Sequence, residues 1–146
     1  MSNLQQILFG SGLLALSAVI HVVAVALSLP LFKWLAGLIP DDRHPLRRGI
    51  VFLLLTLGVI LAAHTVQIWT WAAVFLLIAD LSDFGTSFYF ATVTYTTLGY
   101  GDIVLGEGSR IVATFCAITG LLTFGISTAF LIGVLSKVLP EKFGDH

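Results

Sequence analysis

The sequence predicts an all-α membrane protein that forms one fold unit. Of its 146 residues, 58% are hydrophobic and only 10% are charged, whereas soluble domains carry roughly 25% charged residues. The length is sufficient for about three spans of roughly 20 or more apolar residues, with little left for a soluble domain. We therefore expect a multi-pass protein of the cell membrane.

Three apolar segments are predicted to cross the membrane as helices. The first covers residues 4–39, and Pro30 is expected to bend or end its regular part. The second covers residues 50–79 and the third covers residues 110–139. Charge and proline are densest between the first two segments, in PDDRHPLRRG at residues 40–49, which predicts a loop there.

A shorter segment lies between the second and third spans. The stretch SDFGTSFYFATVTYT, residues 82–96, offers Asp83 as an N-cap, followed by about a dozen apolar and hydroxyl residues. Because this length does not cross a bilayer, it predicts a half-helix that enters partway and stops. Non-helical backbone at that depth is tolerated only inside protein or along a wet path. The stretch that follows is therefore predicted to face water.

That following stretch is TTLGYGD, residues 96–102. Gly99 and Gly101 permit backbone angles that a side chain forbids, so successive carbonyl groups can point toward one axis. The hydroxyl of Thr97 can add an oxygen below them. The stretch resembles the filter of potassium channels, and it differs from the commonest form only by Leu98, where valine is usual.

The resemblance covers roughly residues 50–139 as outer helix, re-entrant pore half-helix, filter loop and inner helix. The chain is similar to simple two-helix bacterial potassium channels, with an additional N-terminal transmembrane helix. The resemblance implies a homotetramer, because one chain cannot enclose a dehydrated ion. It implies no cofactor, since potassium is a permeant ligand. The implied filter residues are Thr97, Leu98, Gly99, Tyr100 and Gly101, with potassium at the first four of them.

The same resemblance assigns filter-supporting and pore-lining residues. Tyr89 can donate a hydrogen bond to ionised Asp102 and brace the filter from behind, and Thr96 completes this supporting set. A competing interpretation makes Asp102 a plain solvated carboxylate at the pore mouth. Gly120 is expected to be a hinge, a close packing contact, or both. The predicted pore-lining and gate residues are Gly120, Leu121, Phe124, Thr128 and Ile132.

Charge predicts the orientation. If the filter faces outward, the N-terminus lies outside and the C-terminus lies in the cytoplasm. Only Arg110 is then outside, as the positive-inside rule expects. The predicted segments are an N-terminal helix at 1–40, a cytoplasmic loop at 41–49, a pore domain at 50–140 and a cytoplasmic tail at 141–146. The cations on the inner side are Lys33, Arg43, Arg47, Arg48, Lys137 and Lys142.

Other classes of function find little support in the sequence. The four histidines lack metal-ligand spacing and no nucleophile has a recognisable setting, so we predict no enzyme. A net charge of -1 argues against a nucleic acid partner. The expected partners are other copies of the chain, potassium ions and membrane lipids. Two alternatives stay open: a non-conducting or regulatory membrane subunit, and a less selective cation channel, against which Tyr100 argues.

Two histidines lie deep in apolar segments, His21 in SAVIHVVAV and His64 in ILAAHTVQI. At about 1.5 Å per residue, they fall at nearly the same depth on antiparallel helices. A His21–His64 hydrogen bond is predicted to tie the N-terminal helix to the pore, with Thr65 and Gln67 as alternative partners. A second hypothesis makes the pair a proton sensor, since charging one ring below about pH 6.5 breaks the tie.

Overall fold

All regular secondary structure in the described part of the chain is α-helical. The computed structural model describes residues 1–38, 45–79 and 81–138. Three helices are long and apolar enough to span a membrane, and the 12-residue α3 is not. The predicted all-α membrane fold with a half-helix is thus confirmed. The helices are α1 (Asn3–Leu38), α2 (Pro45–Ile78), α3 (Phe84–Tyr95) and α4 (Arg110–Val138).

Two helix boundaries near prolines differ from the prediction. α1 continues through Pro30 to Leu38, so Pro30 does not end the helix. The alternative expectation, that Pro30 bends it, stays a prediction. Transmembrane helices tolerate proline because neighbouring helices and side chains can satisfy the freed backbone carbonyl. α2 begins at Pro45, inside the predicted loop, because proline suits the first position of a helix, where its missing N–H costs nothing. Residues 39–44 lie outside the described residues.

α1 packs along α4, and the two helices run parallel. Near their N-termini, the backbone N–H of Ile111 donates to Oε1 of Gln6 at 3.0 Å. Further along, Nε2 of His21 lies 2.9 Å from Oγ of Ser127. The partner on α4 advances along the chain as the residue on α1 advances, so the two pairs have nearly the same separation in sequence. This pattern is that of parallel helices. The start of α1 therefore lies at the same end of the bundle as the loop that leads into α4.

α2 runs antiparallel to α1. The side-chain amide of Gln67 donates to the carbonyl oxygen of Ser17 at 3.2 Å. At the other end, the rings of Phe32 and Phe52 meet edge to face with centroids 6.4 Å apart. The start of α2 and the end of α4 consequently share one end of the bundle, opposite the start of α1.

The half-helix α3 begins at a strong N-cap. The carboxylate of Asp83 accepts from the backbone N–H of Thr86 at 3.0 Å and from the Thr86 hydroxyl at 2.8 Å. These bonds, with a third from Ser82, lower the pKa of Asp83 to about 2. The predicted cap is confirmed, and it fixes where the half-helix starts.

A buried core lies behind α3 and joins it to α2 and α4. The rings of Phe75 and Phe90 pack edge to face with centroids 5.0 Å apart, an arrangement that aromatic quadrupoles favour. This core holds α3 in a fixed orientation, with its C-terminal end between the two longer helices. Its fully buried members are Trp71, Ala72, Phe75, Ala91, Tyr95, Val112 and Cys116.

Candidate functional site

The loop after α3 alternates between left-handed and ordinary backbone angles. α3 ends at Tyr95, and Thr96 caps it with φ -79°. Thr97, Gly99 and Gly101 then have φ values of 61°, 54° and 79°. Such alternation turns successive peptide groups to the same side, whereas a strand turns them to opposite sides. The loop therefore offers a row of backbone groups with one common direction.

Thr97 has a conformation that the sequence did not reveal. Among the described residues it is the one non-glycine with positive φ, and a β-branched side chain is unusual there. Such a residue costs about 1–3 kcal/mol and persists where the surroundings over-determine it. The sequence signal that could have indicated it is the spacing of two residues, which places Thr97 in the same series as Gly99 and Gly101. A strained threonine at the start of the row points to a use for its position.

Backbone hydrogen bonds tie the loop to the end of α3. The N–H of Thr97 donates to the carbonyl oxygen of Thr94 at 2.9 Å. The N–H groups of Leu98 and Gly99 both donate to the carbonyl oxygen of Val93, at 3.0 and 3.2 Å. With their N–H groups turned back to the half-helix, these residues keep their carbonyl oxygens available for another partner.

The loop is open on the surface of the single chain. Leu98 is 55% exposed and Tyr100 is 67% exposed, although both are large and apolar or aromatic. The neighbouring Val104 is 80% exposed. Large side chains exposed together mark an interaction surface more often than a solvated one.

The predicted Tyr89–Asp102 hydrogen bond is present in the structure. The Tyr89 hydroxyl donates to Oδ2 of Asp102 at 2.6 Å, and the N–H of Ile103 donates to Oδ1 at 3.1 Å. The bond from Tyr89 lowers the pKa of Asp102, and the same bond raises the pKa of Tyr89. The carboxylate is thereby kept ionised beside the loop; its service to a filter stays a prediction.

Tyr89→Phe is expected to lower the thermal midpoint of the protein by a few degrees. Asp102→Asn should have a similar effect, because each substitution removes the same charge-assisted bond. Since the pKa of Asp102 is lowered, the bond contributes fully above about pH 4 and is lost as the pH falls further. Circular dichroism melts of the two variants and of their combination check this. A double variant that loses the sum of both effects would contradict the pairing.

Among the described residues, the Thr96 hydroxyl bonds to its own helix, and the supporting role predicted for Thr96 stays a prediction. Its hydroxyl donates to the carbonyl oxygen of Thr92 at 2.8 Å, with Val93 as a weaker second acceptor at 3.3 Å. Both carbonyl groups also accept backbone N–H groups, so the Thr96 hydroxyl adds a second hydrogen bond at the end of α3.

Four of the predicted pore-lining residues lie exposed along one stripe of α4. Leu121 is 68% exposed and Ile132 is 57% exposed. Phe124 is 42% exposed, and its other side stacks on the ring of His64 with centroids 4.5 Å apart. Thr128 completes the stripe and is also exposed. Whether this stripe faces ions stays a prediction.

Gly120, the fifth residue of that set, is buried and differs from the other four. A Cβ atom at this position would overlap the carbonyl oxygen of Tyr95. The glycine therefore lets α4 approach the end of α3 more closely than a side chain allows. The structure provides the packing contact; the hinge stays a prediction.

His21 and His64 lie at the same depth and close together, as predicted, but the predicted direct hydrogen bond between them is wrong. Their ring centroids are 5.0 Å apart, yet each ring bonds to a third helix. Nε2 of His21 and Nε2 of His64 lie 2.9 and 3.1 Å from Oγ of Ser127. Nδ1 of His64 lies 2.9 Å from the hydroxyl of Tyr95. Ser127 bridges the rings, and the proton-sensor hypothesis stays a prediction.

Within the described residues, neither Thr65 nor Gln67, the alternative partners, bonds to His21 or His64. The hydroxyl of Thr65 donates to the carbonyl oxygen of Leu61 in its own helix. Gln67 instead accepts from the Tyr95 hydroxyl at 3.1 Å and donates to Ser17. Tyr95 is thus the centre of a polar cluster that the sequence analysis missed. The sequence pattern does not show which buried side chains contact the hydroxyl of a tyrosine.

Comparison with known proteins identifies the family. A family model described as "Ion channel" matches residues 50–137. Human potassium voltage-gated channel subfamily A member 7 is 33% identical over 89 residues, which is 60% of this chain and 19% of that protein. The mouse subfamily A member 10 is 35% identical over 85 residues, covering 58% of this chain and 16% of that protein. No solved structure matches the chain.

Fold and site together define a multi-pass membrane protein with a half-helix that ends in a glycine-bearing loop. The chain belongs to the ion channel family, and the matched part is a pore domain of the potassium-channel type. The chain spans about one fifth of the length of the human relative. The domain limits predicted from the sequence stay a prediction.

Proposed function

We propose that four copies of this chain form a channel that conducts potassium passively and selectively. The observation that carries the proposal is the alternation of positive φ at Thr97, Gly99 and Gly101. It supports a row of carbonyl oxygens that replaces the water around a potassium ion. The oxygens of residues 97–100, with the Thr97 hydroxyl, are the proposed ligands of the permeant ion.

The half-helix supplies a second electrostatic contribution. Aligned peptide dipoles place partial negative charge at the C-terminal end of a helix. α3 ends at Tyr95, directly before the loop. This end favours a cation where hydrocarbon would exclude it, without any charged side chain.

A homotetramer is proposed because one chain exposes the site instead of enclosing it. Large side chains of the loop and of α4 are more than half exposed, namely Leu98 and Tyr100 in the loop and Leu121 and Ile132 on α4. Contacts between copies would cover much of this surface, and the outward face of the bundle would contact lipids. A central axis then brings four loops together around the ion.

The proposed orientation places the loop side outside the cell. Arg47, Arg48 and Lys137 lie at one end of the bundle and Arg110 lies at the other. The positive-inside rule favours a cytoplasmic location for the first end. Because α1 starts at the other end, its N-terminus would be external and the C-terminus cytoplasmic.

Cysteine labelling is expected to show this orientation. Ser2→Cys should react with an impermeant thiol reagent applied to intact cells, because Ser2 is exposed at the proposed outer end. Gly144→Cys, beyond the described residues, should react only after the membrane is opened. The native Cys116 is buried and gives a low background. Labelling of Gly144→Cys alone in intact cells would contradict the orientation.

Potassium flux into liposomes that contain the purified protein tests the proposal. Flux that exceeds sodium flux supports a selective channel. Equal flux of both ions would indicate a less selective cation channel, and no flux would indicate a non-conducting or regulatory subunit.

A further inference from the structure

The face of α1 that packs into the bundle carries four polar side chains beside the apolar Val25 and Phe32, although the helix is long and apolar enough to span a membrane. Gln6, Ser17, His21 and Ser28 are all buried on this face. A buried polar group in hydrocarbon costs free energy unless it is hydrogen-bonded. α1 also precedes residues 50–137, where the family model matches. The partners of these side chains therefore indicate what α1 does.

The positions of the protons follow from the amide of Gln67. Its Nε2 donates to the carbonyl oxygen of Ser17 at 3.2 Å, which turns Oε1 toward Tyr95. The Tyr95 hydroxyl lies 3.1 Å from that oxygen. The Tyr95 oxygen also lies 2.7 Å from Oγ1 of Thr123. An amide oxygen only accepts, whereas a threonine hydroxyl can donate, so we assign the proton of Tyr95 to Gln67 and that of Thr123 to the Tyr95 oxygen. No proton of Tyr95 is left for its other neighbours.

The remaining protons are then fixed one after another. Nδ1 of His64 lies 2.9 Å from the Tyr95 oxygen, so this nitrogen carries a proton and donates it. In a neutral ring, Nε2 is then bare, and it accepts from the Ser127 hydroxyl at 3.1 Å. Nε2 of His21, 2.9 Å from Ser127, must therefore donate to it. Nδ1 of His21 is left bare, which agrees with its lack of a hydrogen-bond partner in the described part of the chain.

We propose that α1 positions the filter through one directional hydrogen-bond relay that begins and ends on α1. From α1 the relay passes to α4, then to α2 and then to the C-terminal end of α3. It returns to α1 through α2. The filter role rests on the proposed potassium-channel function. In order from donor to acceptor, the groups of the relay are His21, Ser127, His64, Tyr95, Gln67 and the carbonyl of Ser17.

Tyr95 is the residue through which the relay reaches the filter. It is the last residue of α3 and is completely buried. Its carbonyl oxygen lies against Gly120, and the strained Thr97 follows two residues later. Because its ring is enclosed and its hydroxyl is bonded, the backbone that leaves Tyr95 has one position relative to α2 and α4. Breaking the relay is expected to loosen that position.

The tautomers provide a test that does not depend on conduction. In bilayers, nitrogen-15 spectra of labelled imidazole separate ring nitrogens that carry a proton from bare ones. With His44 and His146 replaced by Gln, His64 is expected to be protonated at Nδ1 and His21 at Nε2. Ser127→Ala should shift the Nε2 signals of both rings. A His64 ring protonated at Nε2, or rings that exchange between tautomers, overturns the relay.

A second test measures the filter. His21→Leu removes the first donor and is expected to lower the potassium-to-sodium permeability ratio about threefold. This factor corresponds to the average free energy of one interhelical hydrogen bond in a membrane. His21→Gln keeps a donor near the Nε2 position and should restore the ratio. Ser28→Ala is the matched control, because Ser28 is buried on the same face but bonds, within the described part of the chain, to Val25 of its own helix.

The relay also predicts that substitutions at its two ends are not additive. Tyr95→Phe combined with His21→Leu should have no more effect than the larger single substitution, because either one disconnects α1 from the half-helix. Additive effects, or a His21→Leu variant that behaves like Ser28→Ala, overturn the proposal and leave the channel assignment intact. A wild-type protein without selective flux contradicts the proposed function instead, and the tautomer test still decides the relay.

Discussion

Tyr100→Asp is expected to collapse the discrimination between potassium and sodium by about tenfold or more, equivalent to roughly 1.4 kcal/mol. Tyr100 lies between the two glycines with positive φ, and its ring is 67% exposed in the single chain. In the proposed tetramer, that ring supports the filter from the side. An aspartate removes the ring and adds a charge beside the carbonyl row, without touching the contacts between helices.

The reversal potential under potassium and sodium gradients measures this effect. Tyr100→Phe is the matched control, since it keeps the ring and should keep most of the selectivity. Size-exclusion chromatography establishes whether the variants still assemble as the wild type does. An unchanged ion preference in an intact Tyr100→Asp assembly would contradict the assignment of the filter.

Gly120→Ala is expected to destabilise the protein by about 1–3 kcal/mol, the usual cost of overpacking a buried contact. The added Cβ would overlap the carbonyl oxygen of Tyr95. That carbonyl belongs to backbone at the end of α3, so it cannot move aside as the tip of a flexible side chain would. The substitution should therefore disturb the half-helix and the filter together.

Gly125→Ala provides the matched control on the same helix. A Cβ at Gly125 has nothing within 4 Å in the single chain, and alanine favours a helix over glycine by about 1 kcal/mol. Thermal melts in detergent should thus lower the midpoint for Gly120→Ala and keep or raise it for Gly125→Ala. Equal midpoints, with a change only in open probability at Gly120, would favour the hinge over the packing contact.

The spans and the half-helix could be predicted because each depends on composition over a long window. Asp83 marks the start of α3 through a capping bond that local sequence determines. The boundaries near Pro30 and Pro45 could not be predicted with the same success. A proline is compatible with either a helix start or a helix end, and in a membrane also with a continued helix.

The site shows the same division between local and long-range information. Gly99 and Gly101 indicate an unusual backbone by their type alone, and both have positive φ. The strain at Thr97 comes from bonds that hold the loop to α3, which residue type does not reveal. For His21 and His64, counting along two helices gave the shared depth. The bridging Ser127 lies on a third helix, whose rotation no residue count supplies.

The zero-current potential of the wild-type protein, with potassium on one side of a lipid bilayer and sodium on the other, tests the central claim most directly. Four chains with carbonyl rows at residues 97–100 are expected to pass current that reverses far from zero, at a potential that opposes the flow of potassium. A current that reverses near zero, which equal permeability to the two cations gives at equal concentrations, would contradict potassium selectivity. The absence of any current from correctly assembled protein would contradict the channel itself.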